Sequence, residues 1–330
     1  MTGRLRALFF CTPLALLFGP PALVLWLGGE LISAEQVVGR LSNESSPVLH
    51  GAAYTNATMY VKSRMLTRND PQVLVLGSSR VMQFRDAFFL PEVRFYNAGG
   101  MVARLLHFGT VLQRLREDQQ PELLLLGMDA YFFNERFDKL ERDALNAAWL
   151  DERMNTFKDG SEVFFTSWRA VWTDLYAGKV EWTKLGRLRG LRDRFGLNAV
   201  CRNQGFRNDG SYRYGSRERN IADPAHRDFQ FGTTLQQIAT GKGRFVYGST
   251  VSAPALREME SVLDNAQARG IQVVGFLPPY PHKVWEAMEQ RGENYAYLWS
   301  LEAALRPLFE GRGFEFHNFS DFAWVGADDS

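Results

Sequence analysis

Gly77-Ser78-Ser79-Arg80 follows the apolar run Val73–Leu76 without a break. A serine just past a buried strand and a glycine turn stands exposed, where it can act as a nucleophile. Glycine permits the tight turn. Backbone N–H groups at the start of a following helix point outward and can hold an oxyanion. The alternative is that Ser78 and Ser79 only cap that helix. Two further stretches, Asn97-Ala98-Gly99-Gly100 and Gly127-Met128-Asp129-Ala130, end apolar runs in the same way. They bring small and polar groups toward Ser79. His282 follows Pro278-Pro279-Tyr280-Pro281 and can line the same region, or be a solvated loop histidine.

The elements that position these residues are short apolar strands separated by helices. Val73–Leu76, Val93–Asn97, Leu123–Leu126, Ile271–Leu277 and Phe314–Phe319 read as strands, most of them apolar on both faces. Residues 102–118, 254–270 and 295–309 carry apolar positions at helical spacing; Pro254 suits a first turn and Gly270 a C-terminal cap. The pattern predicts an α/β fold, a three-layer sandwich around a mostly parallel sheet. Ligands of such sheets sit beyond the carboxyl ends of the strands, which is where the Gly, Ser, Asn and Asp residues fall. Residues 71–330 form that domain, with an insertion at about 140–250 that breaks the rhythm. From Lys184 to Arg227 eleven basic residues face four acidic ones, a local charge of +7. This is a solvated cap over the sheet or a basic rim for an anionic polymer or lipid head group.

The whole chain has 330 residues and a net charge of +1, so global charge points to no nucleic-acid partner. Two cysteines, Cys11 and Cys201, cannot make a disulfide framework. No zinc spacing of Cys and His occurs, and neither metal nor cofactor is expected. Arg4 and Arg6 precede an uncharged apolar run from Ala7 to Gly29, long enough for a membrane core of about 30 Å. Residues 1–30 are therefore expected to be a single-pass anchor, with the N-terminus inside a bacterial-type cytoplasmic membrane and the main domain outside it, in the periplasm. A cleaved signal peptide is the rival reading. Residues 31–70 read as a stalk or entry helix.

The three strand ends together resemble the SGNH/GDSL hydrolase superfamily, whose core is flavodoxin-like. Gly77-Ser78-Ser79 is similar to its Gly-Asp-Ser block, with Ser78 in place of the Asp and Ser79 as nucleophile. The resemblance implies a backbone oxyanion donor at Gly99 or Gly100. It aligns Asp129 with the family's Asn, a departure, because a carboxylate donates only when protonated. The closest branch holds exported acyltransferase-like proteins related to teichoic-acid D-alanylation and alginate O-acetylation. That implies a serine esterase or O-acyltransferase acting on a cell-surface glycan, beside an integral-membrane acyltransferase that carries the acyl group. The alternative is a non-catalytic binding or scaffold protein on the same fold.

The family takes its base from an Asp-x-x-His segment after the last strand, and no histidine follows His317 here. The sequence is therefore expected to be truncated short of the base, or to have lost it. Asp223-Pro224-Ala225-His226 matches the letters but lies in the insertion, ahead of two strands. His317 alternates within a strand, and His50 and His107 show no partners in the sequence. Asn43-Glu44-Ser45, Asn56-Ala57-Thr58 and Asn318-Phe319-Ser320 match the weak pattern of glycosylation acceptors.

Overall fold

A computed structural model describes residues 3–43, 47–137, 143–157, 160–186, 193–215, 224, 226 and 228–321. Asp223, most of the Asn43-Glu44-Ser45 acceptor and six of the eleven basic residues between Lys184 and Arg227 lie outside them. The described strands are β1 (Leu49–His50), β2 (Val73–Gly77), β3 (Phe95–Asn97), β4 (Leu123–Gly127), β5 (Arg194–Phe195), β6 (Gly205–Phe206), β7 (Tyr212–Arg213), β8 (Gln272–Leu277) and β9 (Glu315–Asn318). The chain divides into two compact units.

One unit, residues 62–155, 209–211 and 216–330, is α/β. Its five strands run in the order β3-β2-β4-β8-β9, and every neighbouring pair is parallel. All five residues of β2 are buried, as a central strand requires. The order reverses between β2 and β4, because the chain adds β3 on one side and then returns to the other. Such a switch point opens a crevice at the carboxyl ends of the two strands. There Gly77 pairs with Gly127. A Cβ on Gly127 would lie 2.2 Å from Val81 Cγ1, and one on Gly77 would lie 2.7 Å from the Gly127 carbonyl oxygen. Two glycines in register thus let Val81 close over the strand ends. The helices Leu106–Gln113, Ala253–Ala268 and Ala296–Glu310 bury Phe108, Leu112, Leu263, Leu301 and Phe309.

The other unit, residues 1–61, 156–208 and 212–215, holds a small sheet ordered β5-β1-β6-β7. The stretch read as a stalk contains the helix Ala34–Leu41, started by a Ser33–Gln36 capping box. No helix among the described residues is long and apolar enough to cross a membrane. This corrects the reading of residues 7–29 as a spanning anchor, and with it the single-pass, N-terminus-inside placement. The helix Gly3–Leu27 contains Pro13, Pro20 and Pro21. Its last turns pack within the protein: Val24 and Leu25 are buried with Val171, Leu185, Leu197 and Val200. Trp172 Nε1 donates to the Leu17 carbonyl at 2.8 Å. Glu30, which follows that apolar run, folds inward and accepts from the N–H groups of Leu197 and Ala53 at 2.7 and 2.9 Å. Burial pushes its pKa up.

Candidate functional site at the carboxyl edge

The chain leaves β2 through Ser78, which is buried, into a single 3-10 turn over Ser79–Val81. Ser78 Oγ accepts from the Arg80 N–H at 3.2 Å, so Ser78 is the cap of this turn. Ser79 is its first residue and is partly exposed. The helix expected behind the serines is therefore three residues of 3-10 turn, too short for an appreciable helix dipole.

Asn97, at the end of β3, is fully buried. Its Nδ2 donates to the carbonyls of Val81 and Phe84 at 2.8 and 2.9 Å, and its Oδ1 accepts from the Gly99 N–H at 2.7 Å. One amide side chain thus ties the serine turn to the glycine turn. Gly100 donates to the carbonyls of Gly77 and Ser78 at 2.9 and 3.0 Å. The N–H groups of Gly99 and Gly100 are both engaged inside the protein.

Asp129 follows β4 and is also fully buried. Its Oδ1 lies 3.0 Å from Arg80 Nη1, and its Oδ2 accepts from the Tyr131 hydroxyl at 2.8 Å. Arg80 Nη2 donates to the carbonyls of Pro278 and Pro279 at 2.9 and 2.6 Å, and its guanidinium lies 4.2 Å from the centre of the Tyr280 ring. Burial alone would weaken the Arg80 charge; Tyr280 and Asp129 outweigh it and hold its pKa above the ordinary value. Burial pushes the Tyr280 phenol up as well. Arg80 and Asp129, 49 residues apart, form a buried ion pair beneath the edge. Sequence reasoning quoted Arg80 only as part of a motif and missed its role. The signal was present in an arginine next to two serines at a strand end where charge is expensive to bury.

The loop held by Arg80 leads into the helix His282–Glu289. His282 is half-exposed, and its Nε2 lies 3.2 Å from Glu286 Oε1 one turn on. Glu286 was not singled out from the sequence. The remaining histidines lie elsewhere: His317 pairs with Glu315 on β9, and His107 is buried with its Nδ1 accepting from the Ala103 N–H. His50 stacks on Phe195, and His226 accepts from the Asp228 N–H. Among the described residues no group of three His, Cys, Asp or Glu is arranged to hold a metal ion, and Cys11 and Cys201 are free. A cavity of about 100 Å³ bordered by Arg64, Met101 and Arg114 shares no lining residue with the edge. At this edge Ser79 and Arg80 are partly exposed, whereas Ser78, Asn97 and Asp129 are buried. Comparison with protein-family models, with curated proteins and with solved structures finds no match for this chain.

Proposed function

We propose that this carboxyl edge is an acyl-transfer site of the SGNH type on a three-layer fold, with Ser79 as nucleophile and His282 as base. The observation that carries the reading is the Arg80 clamp. The residue next to Ser79 grips both carbonyls of the Pro278-Pro279 step, three residues ahead of His282. Serine needs a base and a group that orients the base. His282 Nδ1 takes the Ser79 Oγ proton as Oγ attacks the acyl carbonyl, while His282 Nε2–H donates to Glu286. Because the Gly99 and Gly100 N–H groups are engaged, the oxyanion draws on the charge of Arg80 at a distance, since Nη1 and Nη2 already serve Asp129 and the Pro278 and Pro279 carbonyls. Collapse expels the alcohol, which takes the proton from His282 and leaves an acyl-Ser79 ester. Water then completes hydrolysis, or a glycan hydroxyl completes transfer.

Fluorophosphonate labelling followed by peptide mapping tests this. The wild-type chain acquires the adduct on Ser79, Ser79→Ala does not, and His282→Gln labels about 100-fold more slowly. Retention of labelling in Ser79→Ala removes that serine from the mechanism. The engaged glycine amides favour a second reading, a glycan-binding edge without catalysis. Wild-type protein that never labels but binds an acidic polysaccharide selects it.

A further inference from the structure

Lys62, in the helix Thr58–Asn69, is 2% exposed. Its Nζ donates to three backbone carbonyls: Asn97 at 2.9 Å, Gly99 at 2.5 Å and Gly210 at 2.9 Å. Three acceptors around one nitrogen call for three N–H donors, which only the ammonium form has. A neutral amine offers two, and its lone pair would face a carbonyl oxygen. Two of the three carbonyls belong to the glycine turn whose N–H side is held by the Asn97 amide. The third belongs to the segment 209–211, which already meets β3 through a 2.8 Å bond from the Asn97 N–H to the Asp209 carbonyl. Gly210 has φ +77°, and a Cβ there would lie 2.3 Å from the Asn97 oxygen, so the segment fits only with glycine at its apex.

We propose that Lys62 is a positioning residue whose ammonium clamps the Asn97–Gly100 turn to the segment 209–211, and that loss of its proton opens the clamp and loosens the turn behind Ser78. Among the groups around it, Asp209 is the acid whose charge supports the ammonium. The Asp209 carboxylate accepts from Ser211 N–H and Oγ at 2.9 and 2.6 Å and from the Asp86 N–H at 3.1 Å. Asp86 and Tyr96 lie within reach of that same charge, and burial together with Asp209 pushes both of their pKa values up. Tyr96 therefore stays protonated near neutrality. Burial lowers Lys62 itself to about 7, against the opposing pull of Asp209, so the clamp releases within the range where proteins work.

The test follows the Gly99 and Gly100 amide resonances of the full chain between about pH 6 and 9, with Ser79 labelling measured over the same range. Both amides are expected to shift with one midpoint near 7 in the wild type and in Ser79→Ala. They stay flat in Lys62→Arg, which keeps its charge, and in Lys62→Met, which has none to lose. Amides that stay still in the wild type overturn the clamp, and that result needs no variant to fold. So does an equal titration in Lys62→Arg. The consequence for Ser79 rests on the serine reading, whereas the amide titration does not. Titrating amides with no labelling at any pH support the clamp and overturn the nucleophile; labelling with still amides does the reverse.

Discussion

Asp129 shows how one side chain can be right in place and different in role. The resemblance puts it where an oxyanion-donating asparagine would stand, so Asp129→Asn is expected to restore a donor. The structure gives it a different task, as the counter-charge of Arg80 and acceptor of the Tyr131 hydroxyl. Removing one partner of a buried pair leaves the other charge uncompensated and costs about 3 kcal/mol or more. Asp129→Ala is therefore expected to lower stability by about 3 kcal/mol in urea unfolding, near the low end because Arg80 is 19% exposed. Asp129→Asn keeps the shape and a polar contact for Tyr131, but loses the charge and destabilises by a lesser amount. The double variant Arg80→Met/Asp129→Leu recovers most of the loss, since neither charge remains. A double variant no more stable than Asp129→Ala would refute the pair as the cause.

At the scale of elements, the paired glycines decide whether the edge can form. In Gly127→Ala the new methyl meets Val81 Cγ1 at 2.2 Å, and Val81 is β-branched, fully buried and unable to turn away. In Gly77→Ala it meets a backbone oxygen at 2.7 Å. Overpacking of this kind costs about 1–3 kcal/mol. The two variants separate on the background Val81→Ala, which removes the side-chain obstacle and leaves the backbone one. Gly127→Ala is expected to be partly rescued there and Gly77→Ala not, read as the coupling energy in a double-mutant cycle. Equal coupling for both glycines would show that the strand ends close differently.

These same strands were the most legible part of the chain. Val73–Leu76 and Leu123–Leu126 are apolar on both faces and bounded by Pro and Gly, a pattern that a buried parallel strand satisfies and few other elements do. β2 and β4 appear there, each one residue longer. What periodicity could not supply was partner choice. The Lys62 acceptors lie 35, 37 and 148 residues away, and Lys62 reads as an ordinary solvated lysine until the fold brings them together. The run Ala7–Gly29 is a related case: its apolar composition does not show that its last turn, at Val24 and Leu25, packs against Leu197 and Val200.

For the whole molecule, buried histidines set an acid limit, one in each unit. Burial lowers His50 to about 4, and burial together with the nearby Arg104 charge lowers His107 to about 4. The unfolded chain takes up these protons near pH 6.5, whereas the folded chain resists until about 4. Between those values the unfolded state binds more protons, so stability is full above 6.5 and is lost as the pH falls, at about 1.4 kcal/mol per pH unit for each histidine. Lys62 has the same sign at the other end: its lowered pKa makes stability rise as the pH climbs from about 7 toward 10.5. His50 and His107 fall in different units, so their contributions are separable if each unit is followed by its own amide resonances. His50→Phe is expected to flatten the acid slope in the unit built on the small sheet, and His107→Gln in the α/β unit, each leaving the other slope unchanged. His107 is the sharper case, because its Nδ1 accepts from the Ala103 N–H, so the proton it takes up in acid goes to that nitrogen and breaks the bond. An acid transition that neither variant moves would mean that carboxylates, not these two rings, set the limit.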